Sequence, residues 1–278
     1  MHLVVNSNPM EISKVPPDMT LLQFLRTRCG LTGTKEGCAS GDCGACTVII
    51  ARETGDGTGF ETVNSCICPM GRVQNQSVIT VEGLGGDSVA QMVQPVQEAM
   101  VNCDGSQCGF CTPGFVMSLA GLHFNARKRG VSSVSRAAVL DAISGNLCRC
   151  TGYRPIVEAG LQAIKKPVDL TRFEQQQGMA APESGSLLGC GEEEGYWQPH
   201  SESELQAVLF EHPDARLVAG GTDLMLEATQ QFRPLPKLID LNRVESLGRV
   251  NVGEDIIDIG AAVTYSQLES ALADEAPE

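Results

Sequence analysis

The first 85 residues contain short apolar stretches separated by turns rich in glycine and asparagine. Short apolar runs bounded by such turns are typical of β-strands. A single predicted helix, Leu21–Arg28, lies among them. The predicted strands are His2–Val5, Thr47–Ala51, Phe60–Val63 and Val78–Val81. The pattern therefore predicts a β-rich domain over residues 1–85.

From Ser88 onwards the apolar spacing becomes helical. Ser88 is a predicted N-cap, and Thr112 with Pro113 predicts the N-cap and first residue of a helix that runs to Phe124. A third stripe ends before Gly145, and a fourth follows Pro155. The first apolar stripe consists of Val89, Met92, Val93, Val96 and Met100, the third of Val139, Leu140 and Ile143, and the fourth of Val157, Leu161 and Ile164. Four helices of this length predict a small bundle over residues 86–166.

Residues 167–194 have little apolar periodicity. Three consecutive glutamines, scattered glycine and serine, Pro182 and the acidic run Glu192–Glu194 predict a linker there. Regular structure resumes near Tyr196 and extends over residues 195–278. Its predicted elements are a helix, Glu204–Phe210, and strands at Arg216–Ala219, Leu238–Leu241 and Ile256–Ile259. The chain is therefore expected to be an α+β protein of several domains.

The amino-acid composition limits the kinds of molecule that this chain is expected to bind. A formal net charge of −14 argues against nucleic acid, because phosphate backbones are bound mainly by Lys and Arg. The longest apolar runs are too short to cross a bilayer, and a basic, then apolar, secretion signal is missing at the N-terminus. We therefore expect a cytoplasmic protein. Twelve cysteines in such a chain favour metal binding over disulfides, because reducing compartments keep thiols free.

Cys38, Cys43 and Cys46 form a C-x4-C-x2-C motif within a glycine-containing loop, with a fourth cysteine at Cys66. This is the spacing of plant-type 2Fe-2S sites. Glycine allows such a loop to turn tightly and to aim N–H groups at cluster sulfurs. Cys68 is an alternative fourth ligand, although we prefer Cys66. Zinc is the alternative metal, but it usually needs two cysteine knuckles or histidines.

A second cysteine group combines a C-x2-C motif with a C-x-C motif, each before a predicted helix. Its members are Cys108, Cys111, Cys148 and Cys150. Two loops at neighbouring helix N-termini could bring four thiolates together, where the helix dipoles favour their charge. All four histidines lie outside both groups, which argues against a Rieske site. Cys29, Cys103 and Cys190 have no partner at ligand spacing and are interpreted as small buried residues.

The sequences around the second group, residues 107–114 and 145–155, resemble the signatures of the xanthine dehydrogenase and aldehyde oxidase family of molybdenum hydroxylases. The resemblance implies a β-grasp, plant-type 2Fe-2S ferredoxin domain followed by a four-helix 2Fe-2S domain. It also implies that the second cysteine group ligates the cluster proximal to the molybdenum and the first group the distal cluster. Gln107 matches a glutamine of this family that approaches the molybdopterin cofactor, which the resemblance places on a partner subunit.

A glycine turn lies between a predicted strand and a predicted helix in the third domain. Such a turn brings N–H groups close to a phosphate, and the helix N-terminus adds a favourable dipole. Its position is similar to the FAD pyrophosphate loop of the same family. The residues are Leu217, Val218, Ala219, Gly220, Gly221, Thr222, Asp223 and Leu224. The resemblance implies the N-terminal part of an α/β FAD-binding domain, with an incomplete FAD site, because the family's flavin domain continues beyond residue 278.

The resemblance implies the iron-sulfur and flavin subunit of a xanthine dehydrogenase in a hetero-oligomer. A partner subunit with a molybdenum cofactor would hydroxylate a purine, and electrons would pass through both clusters to FAD and then to NAD, with O₂ as an alternative acceptor. No residue of this chain is then expected to act as an acid, base or nucleophile. The alternatives are an aldehyde oxidoreductase or carbon monoxide dehydrogenase subunit, a stand-alone ferredoxin-like carrier, and a zinc-binding module.

Overall fold

The computed structural model describes residues 1–54, 57–85, 93–174, 188–189, 193–253 and 255–273. The chain divides into two compact units. The first comprises Met1–Ile12 and Thr20–Pro182, and the second comprises Ser13–Met19 and Glu183–Glu278. Within the described ranges, no helix combines the length and apolar character needed to cross a membrane.

A five-stranded sheet opens the first unit. Its strands β1 to β5 are His2–Val5, Asn8–Glu11, Thr47–Thr54, Gly57–Asn64 and Ser77–Ile79, and their order in the sheet is β2-β1-β5-β3-β4. β1 pairs in parallel with β5, whereas β1–β2, β3–β5 and β3–β4 are antiparallel pairs. Helix α1, Leu21–Thr27, begins at a capping box in which Thr20 and Gln23 satisfy each other's backbone amides.

Four helices follow the sheet, as predicted: α2, Pro95–Asn102; α3, Thr112–Lys128; α4, Arg136–Ala142; and α5, Arg154–Ala163. They share one apolar core with the sheet, because Ile49 of β3 and Phe60 of β4 pack in the same cluster as Phe115 and Phe124 of α3. The Phe60 and Phe124 rings meet edge to face at 5.1 Å. The unit is therefore held together by burial of one contiguous apolar cluster.

Helix α2 begins later than the sequence predicted. Its N-cap is Gln94, whose side chain accepts from the Val96 amide, and Pro95 occupies the first turn. Val93 precedes the helix and is exposed, so one continuous helix from Ser88 is wrong. Pro95 has no N–H to donate, which suits the first turn of a helix and not its interior. Ser88, Val89 and Met92 themselves lie outside the described residues.

Two further helical predictions need small corrections. Helix α3 has Cys111 as its N-cap, one residue before the predicted Thr112. Leu140 was assigned to the apolar stripe of α4 but is 45% exposed, whereas Val139 and Ile143 are buried. The apolar stripe of this short helix is therefore narrower than its sequence indicates.

The beginning of the predicted linker contains a helical turn, α6, Thr171–Glu174. Phe173 is buried, and its ring stacks on Phe124 at 5.1 Å. The Arg172 guanidinium donates to the carbonyls of Gly83, Leu84 and Gly85. This part of the predicted linker therefore belongs to the packed core of the first unit.

The second unit contains two small sheets. Its strands β6 to β10 are Gly195–Trp197, Arg216–Val218, Lys237–Asp240, Val250–Val252 and Ile257–Ile259, and its helices α7 to α9 are Glu202–Glu211, Leu224–Thr229 and Tyr265–Ala273. One sheet is parallel with the order β6-β8-β7, and the other is an antiparallel pair, β9-β10. The predicted strands are found with ends shifted by a residue, whereas β6, β9 and the last helix were not predicted.

Candidate functional site

The first cysteine loop connects α1 to β3 and curls around the Cys38 sulfur. The backbone amides of Ser40 and Asp42 both point at this sulfur, at 3.4 and 3.3 Å. Gly41 and Gly44 have φ of +83° and +66°, in the left-handed region that favours glycine. This arrangement supplies N–H donors to a thiolate, as a loop around an iron-sulfur cluster requires.

Glycine at position 37 leaves room for the same site. A Cβ atom built on Gly37 would lie 2.8 Å from the Cys43 sulfur and 3.5 Å from a ring carbon of Phe110. A side chain there would displace the cysteine. The loop therefore supplies both the N–H donors and the free space that a cluster needs.

The four thiols of the first group lie as two close pairs, Cys38 with Cys43 and Cys46 with Cys66, and each thiol affects the pKa of its partner. Two thiols for each of two irons is the donor set of a 2Fe-2S cluster. The Cys68 sulfur, the alternative fourth ligand, instead donates to the Pro69 carbonyl at 3.8 Å. The geometry therefore brings Cys66 to the group.

Hydrogen bonds to sulfur change the acidity of these thiols. Partial burial acts to raise the pKa of Cys38, but hydrogen bonds from Ser40 and Cys43 outweigh it and bring the pKa to about 6. Within the buried pair, sharing of one proton raises the pKa of Cys66 and lowers that of Cys46. The surroundings therefore favour the thiolate, which is the form that ligates iron, at Cys38 and Cys46.

The second cysteine group is assembled from the loops that precede α3 and α5. Its thiols also lie as two close pairs, Cys111 with Cys148 and Cys108 with Cys150, and each pair has one member on each loop. The Tyr153 hydroxyl accepts from the Cys148 amide at 2.9 Å. The two loops therefore bring these thiols together near neighbouring helix N-termini, and their assignment as cluster ligands stays a prediction.

Thr151 performs for Cys148 the role that Ser40 performs for Cys38. Its hydroxyl lies 3.2 Å and its amide 3.5 Å from the Cys148 sulfur. Burial acts to raise the pKa of Cys148, but the bonds from Thr151 and the Cys150 amide lower it to about 7. Burial, and secondly the bond to Cys148, raise the pKa of Cys111 to about 12. The donor set fits a second cluster of the same kind.

The two groups differ in exposure. Cys46 and Cys66 are buried, whereas Cys108 and Cys150 are exposed, as is Gln107. The second group thus lies at the protein surface. The cysteines of the described ranges carry free thiols, and those residues contain no set of three or more Cys, His, Asp or Glu side chains around a single ion position.

The remaining cysteines lie apart from both groups. Cys29 contacts the Met10 sulfur at 4.0 Å, and Cys103 packs against the apolar core. Cys190 lies outside the described residues. The interpretation of Cys29 and Cys103 as structural residues stays a prediction.

The glycine turn of the second unit connects β7 to α8. Gly221 has a φ of +74°, and Gly220 is exposed, with the Thr222 side chain, at 3.9 Å, the nearest neighbour that a Cβ atom there would meet. An exposed glycine followed by a left-handed glycine at a strand-to-helix turn fits an FAD loop. However, α8 has six residues, and its N-cap Asp223 makes no capping bond. The helix dipole is therefore weaker than the sequence pattern indicates.

Sequence reasoning missed the side chains that support this turn. Asn242 donates to the Ala219 carbonyl at 2.8 Å and to the Asp240 carboxylate. Asp240 is fully buried and also accepts from Gln198. The sequence signal was weak, because an Asp and an Asn after a short apolar strand also predict an ordinary turn.

Three family models match separate parts of the chain. Residues 3–71 match a 2Fe-2S iron-sulfur cluster binding domain, and residues 80–161 match a second 2Fe-2S binding domain. Residues 191–278 match the FAD binding domain in molybdopterin dehydrogenase. The predicted order of ferredoxin-type, helical and flavin-binding domains, and the predicted cofactor classes, are confirmed.

Individual relatives agree with these matches. The xanthine dehydrogenase of Drosophila pseudoobscura pseudoobscura is 33% identical over 96% of this chain and 23% of its own length. Aldehyde oxidase 2 of Cavia porcellus is 34% identical over 97% of this chain and 23% of its own length. The chain thus spans less than a quarter of these curated relatives.

A solved structure matches as well. The aldehyde oxidoreductase from Desulfovibrio gigas, activated with sodium dithionite and sodium sulfide, has 37% sequence identity and a TM-score of 0.50. The match covers 59% of this chain and 17% of that chain.

Proposed function

Because this chain belongs to the molybdenum hydroxylase family, we propose that it is the electron-transfer part of a xanthine dehydrogenase. It contains two 2Fe-2S domains and an FAD-binding domain, whereas the molybdenum cofactor of the family is carried elsewhere. In this proposal, a partner subunit oxidises a purine and this chain conducts the electrons to NAD⁺. The complex is a hetero-oligomer.

The observation that carries the proposal is the arrangement of eight thiols as four close pairs, two in each group. Each group supplies the ligands of one two-iron cluster, which exchanges single electrons when bound, and a bound flavin couples single-electron to hydride transfer. We assign Cys38, Cys43, Cys46 and Cys66 to one cluster, and Cys108, Cys111, Cys148 and Cys150 to the other.

The protein's own part is to hold the clusters and to set their charge. The Ser40 and Asp42 amides and the Thr151 hydroxyl donate to sulfur, and donors to a thiolate ligand stabilise the more negative, reduced state. The backbone also joins the two groups, because the Leu147 amide donates to the Cys43 carbonyl at 3.0 Å. The two loops are therefore in contact, as electron exchange between their clusters would require.

The exposure of the second group supports its assignment as the entry point for electrons. Cys108, Cys150 and Gln107 are all exposed on one pair of loops. A partner that carries a molybdenum cofactor could approach these loops directly, and we assign Gln107 as the residue that contacts its pterin. The buried Cys46 and Cys66 are in the group farther from that surface.

The glycine turn at residues 217–224 is proposed to hold the FAD pyrophosphate. Gly220 is exposed and Gly221 has a left-handed backbone conformation, the kind of glycine turn that allows a phosphate to approach the backbone closely. Thr222 and Asp223 are exposed beside them. FAD retention by this chain alone is the direct test of whether residues 195–278 suffice.

An aldehyde-oxidising enzyme is the second candidate. One of the two relatives above is an aldehyde oxidase, and the matched structure is an aldehyde oxidoreductase. Electron-transfer parts do not contact the substrate, so they do not discriminate between purine and aldehyde.

The first experiment is to count the metals. We expect about four iron and four acid-labile sulfide per chain and two distinct EPR signals on reduction. Two zinc ions without sulfide would contradict the assignment. The second experiment is to purify the complex formed with a molybdopterin-containing subunit and to assay NAD⁺ reduction. Reduction driven by xanthine supports the proposal, whereas activity with aldehydes alone supports the second candidate.

A further inference from the structure

Asn146 is a buried side chain that joins the two cysteine groups. It is 4% exposed and precedes Cys148 by two residues. Its Nδ2 atom donates to the Gly44 carbonyl at 3.0 Å, and its Oδ1 atom accepts from the Ser118 hydroxyl at 2.7 Å. Asn146 therefore connects the first cysteine loop, the second cysteine group and helix α3.

The backbone bond beside it reinforces this connection. Leu147 donates to the Cys43 carbonyl, so two consecutive residues of one loop bind two consecutive carbonyls of the other. Gly114 of α3 packs against the same Gly44 carbonyl, where a Cβ atom would overlap the oxygen. The contact between the loops is thus close, and tightly packed contacts allow little adjustment.

The Gly44 carbonyl does not depend on Asn146 for its hydrogen bonding. It also accepts from the Thr47 hydroxyl, at 2.7 Å within the first loop. That internal bond remains when Asn146 is replaced, so the first loop keeps its own support. What Asn146 adds is a side-chain bond between the loops, beside the backbone bond of Leu147.

We propose that Asn146 is a positioning residue that fixes the separation and orientation of the two clusters, an inference that rests on the proposed function. A primary amide suits this role because it donates and accepts at once, and Ser118 holds the amide in the orientation that points Nδ2 at Gly44. Asn146 acts on the cysteine groups through the Gly44 carbonyl and through the backbone of its own loop.

The test compares two asparagine variants of the iron-loaded chain. Asn146→Leu removes the side-chain bond between the loops and keeps the branched shape of the side chain, while the Leu147 backbone bond remains. Asn125→Leu is the matched control, because Asn125 likewise donates to a backbone carbonyl, that of Phe60 at 2.8 Å, and also connects α3 to another element. Both variants lose one amide-to-carbonyl bond, but the control bond lies away from the cysteines.

Two readouts report on cluster spacing. One is the EPR splitting caused by magnetic interaction between the two reduced clusters. The other is the rate of electron exchange between the clusters, followed by rapid reduction and freeze-quenching. We expect Asn146→Leu to keep both clusters, to show an altered splitting and to exchange electrons about tenfold more slowly, because small displacements of reacting groups have large effects on rate. Asn125→Leu should match the wild type.

The outcomes separate the two proposals. A wild-type chain without two iron-sulfur signals contradicts the proposed function itself. With both signals present, unchanged splitting and rate in Asn146→Leu overturn the positioning role. Loss of a cluster from Asn146→Leu but not from Asn125→Leu also overturns it, because Asn146 is then needed for assembly and not for spacing.

Ser118→Ala is the second variant, in case Asn146→Leu fails to fold. It leaves the asparagine in place but removes the hydroxyl that orients it. We expect a smaller change in the same two readouts, with full iron content. If Ser118→Ala has wild-type splitting and rate, the orientation of the amide has no influence on the clusters and the inference is wrong.

Discussion

The Tyr196 hydroxyl donates a 2.8 Å hydrogen bond to the Asp240 carboxylate, and both residues are fully buried. Tyr196 lies on β6 and Asp240 is the last residue of β8, so the bond joins two neighbouring strands of the parallel sheet. The same carboxylate binds Asn242, which binds the carbonyl of Ala219 beside Gly220. The position of the glycine turn therefore depends on a carboxylate that itself needs donors.

Replacement of Tyr196 by Phe should destabilise the second unit. It leaves a buried carboxylate with one donor fewer, which costs about 2 kcal/mol of unfolding free energy. Urea unfolding followed by fluorescence of Trp197, the only tryptophan of the chain, measures this. Tyr265→Phe is the control, because that side chain is 90% exposed. Equal losses in the two variants would show that the Asp240 bond is not responsible.

Serine substitution should separate Cys66 from Cys68. Both are buried and lie two residues apart, but Cys66 pairs with Cys46 while Cys68 donates to Pro69. Cys66→Ser should lose one EPR signal and about half of the iron, whereas Cys68→Ser should keep both signals, because a thiolate ligand is much harder to replace than a buried thiol. The reverse result would assign Cys68 as the ligand.

His123 should make the stability of the first unit depend on pH. Its Nε2 atom lies 2.9 Å from the Lys166 carbonyl, and its buried Nδ1 atom has no hydrogen-bond partner in the described part of the chain. Burial lowers the pKa of His123; the Lys166 carbonyl opposes this, and the charge of Arg127 adds to it. The folded protein therefore holds the neutral imidazole.

The direction of the effect follows from that lowered pKa. As the pH falls below about 6.5, the unfolded chain takes up a proton that the folded chain does not. The stability from His123 is complete above this pH and decreases below it, by at most about 1.4 kcal/mol per pH unit, until the folded-state pKa is reached. His123→Gln can keep the bond to Lys166 but does not titrate. Urea midpoints measured by circular dichroism should converge for the two proteins at low pH; parallel curves would contradict the prediction.

Alanine at Gly114 should loosen the contact between α3 and the first cysteine loop. The added Cβ atom would overlap the Gly44 carbonyl, which is backbone and cannot rotate away. Overpacking of this kind costs about 1–3 kcal/mol, more than the gain of up to about 1 kcal/mol in helix propensity. Gly145→Ala is the control, because a Cβ there meets no atom within 4 Å. Urea unfolding should distinguish them; equal stability would show that the loop shifts freely.

The sequence predicted those helices and strands whose apolar residues repeat at a regular spacing along the chain. The strand His2–Val5 and the stripe with Val157 on α5 were found at nearly their predicted positions, because one buried face produces the period. The cysteine spacing likewise indicated which thiols converge. Tertiary contacts were not predictable in this way. Strand Asn8–Glu11 is mostly exposed and has no apolar alternation, since it is held by pairing with β1.

The roles of Asn146 and Asp240 could not be predicted from the sequence for the same reason. Each was visible as an ordinary polar residue, and its role depends on partners far along the chain, 102 residues away for Gly44 and 44 for Tyr196. Hydrogen bonds over such separations leave no periodic signal. The helix α9 was missed for a different reason, because its side chains, Tyr265 among them, are largely exposed and form no clear apolar stripe.

Phe173 determines where the iron-sulfur half of this chain can be cut. Its ring fills the core against Phe124, although it lies seven residues beyond the bundle boundary at 166 that the sequence indicated. A shortened version ending at 166 would leave a hole beside Phe124, at a cost of about 3–5 kcal/mol from a domain whose total stability is about 5–15 kcal/mol. Expression of the two cysteine groups without the flavin half should therefore extend through Glu174.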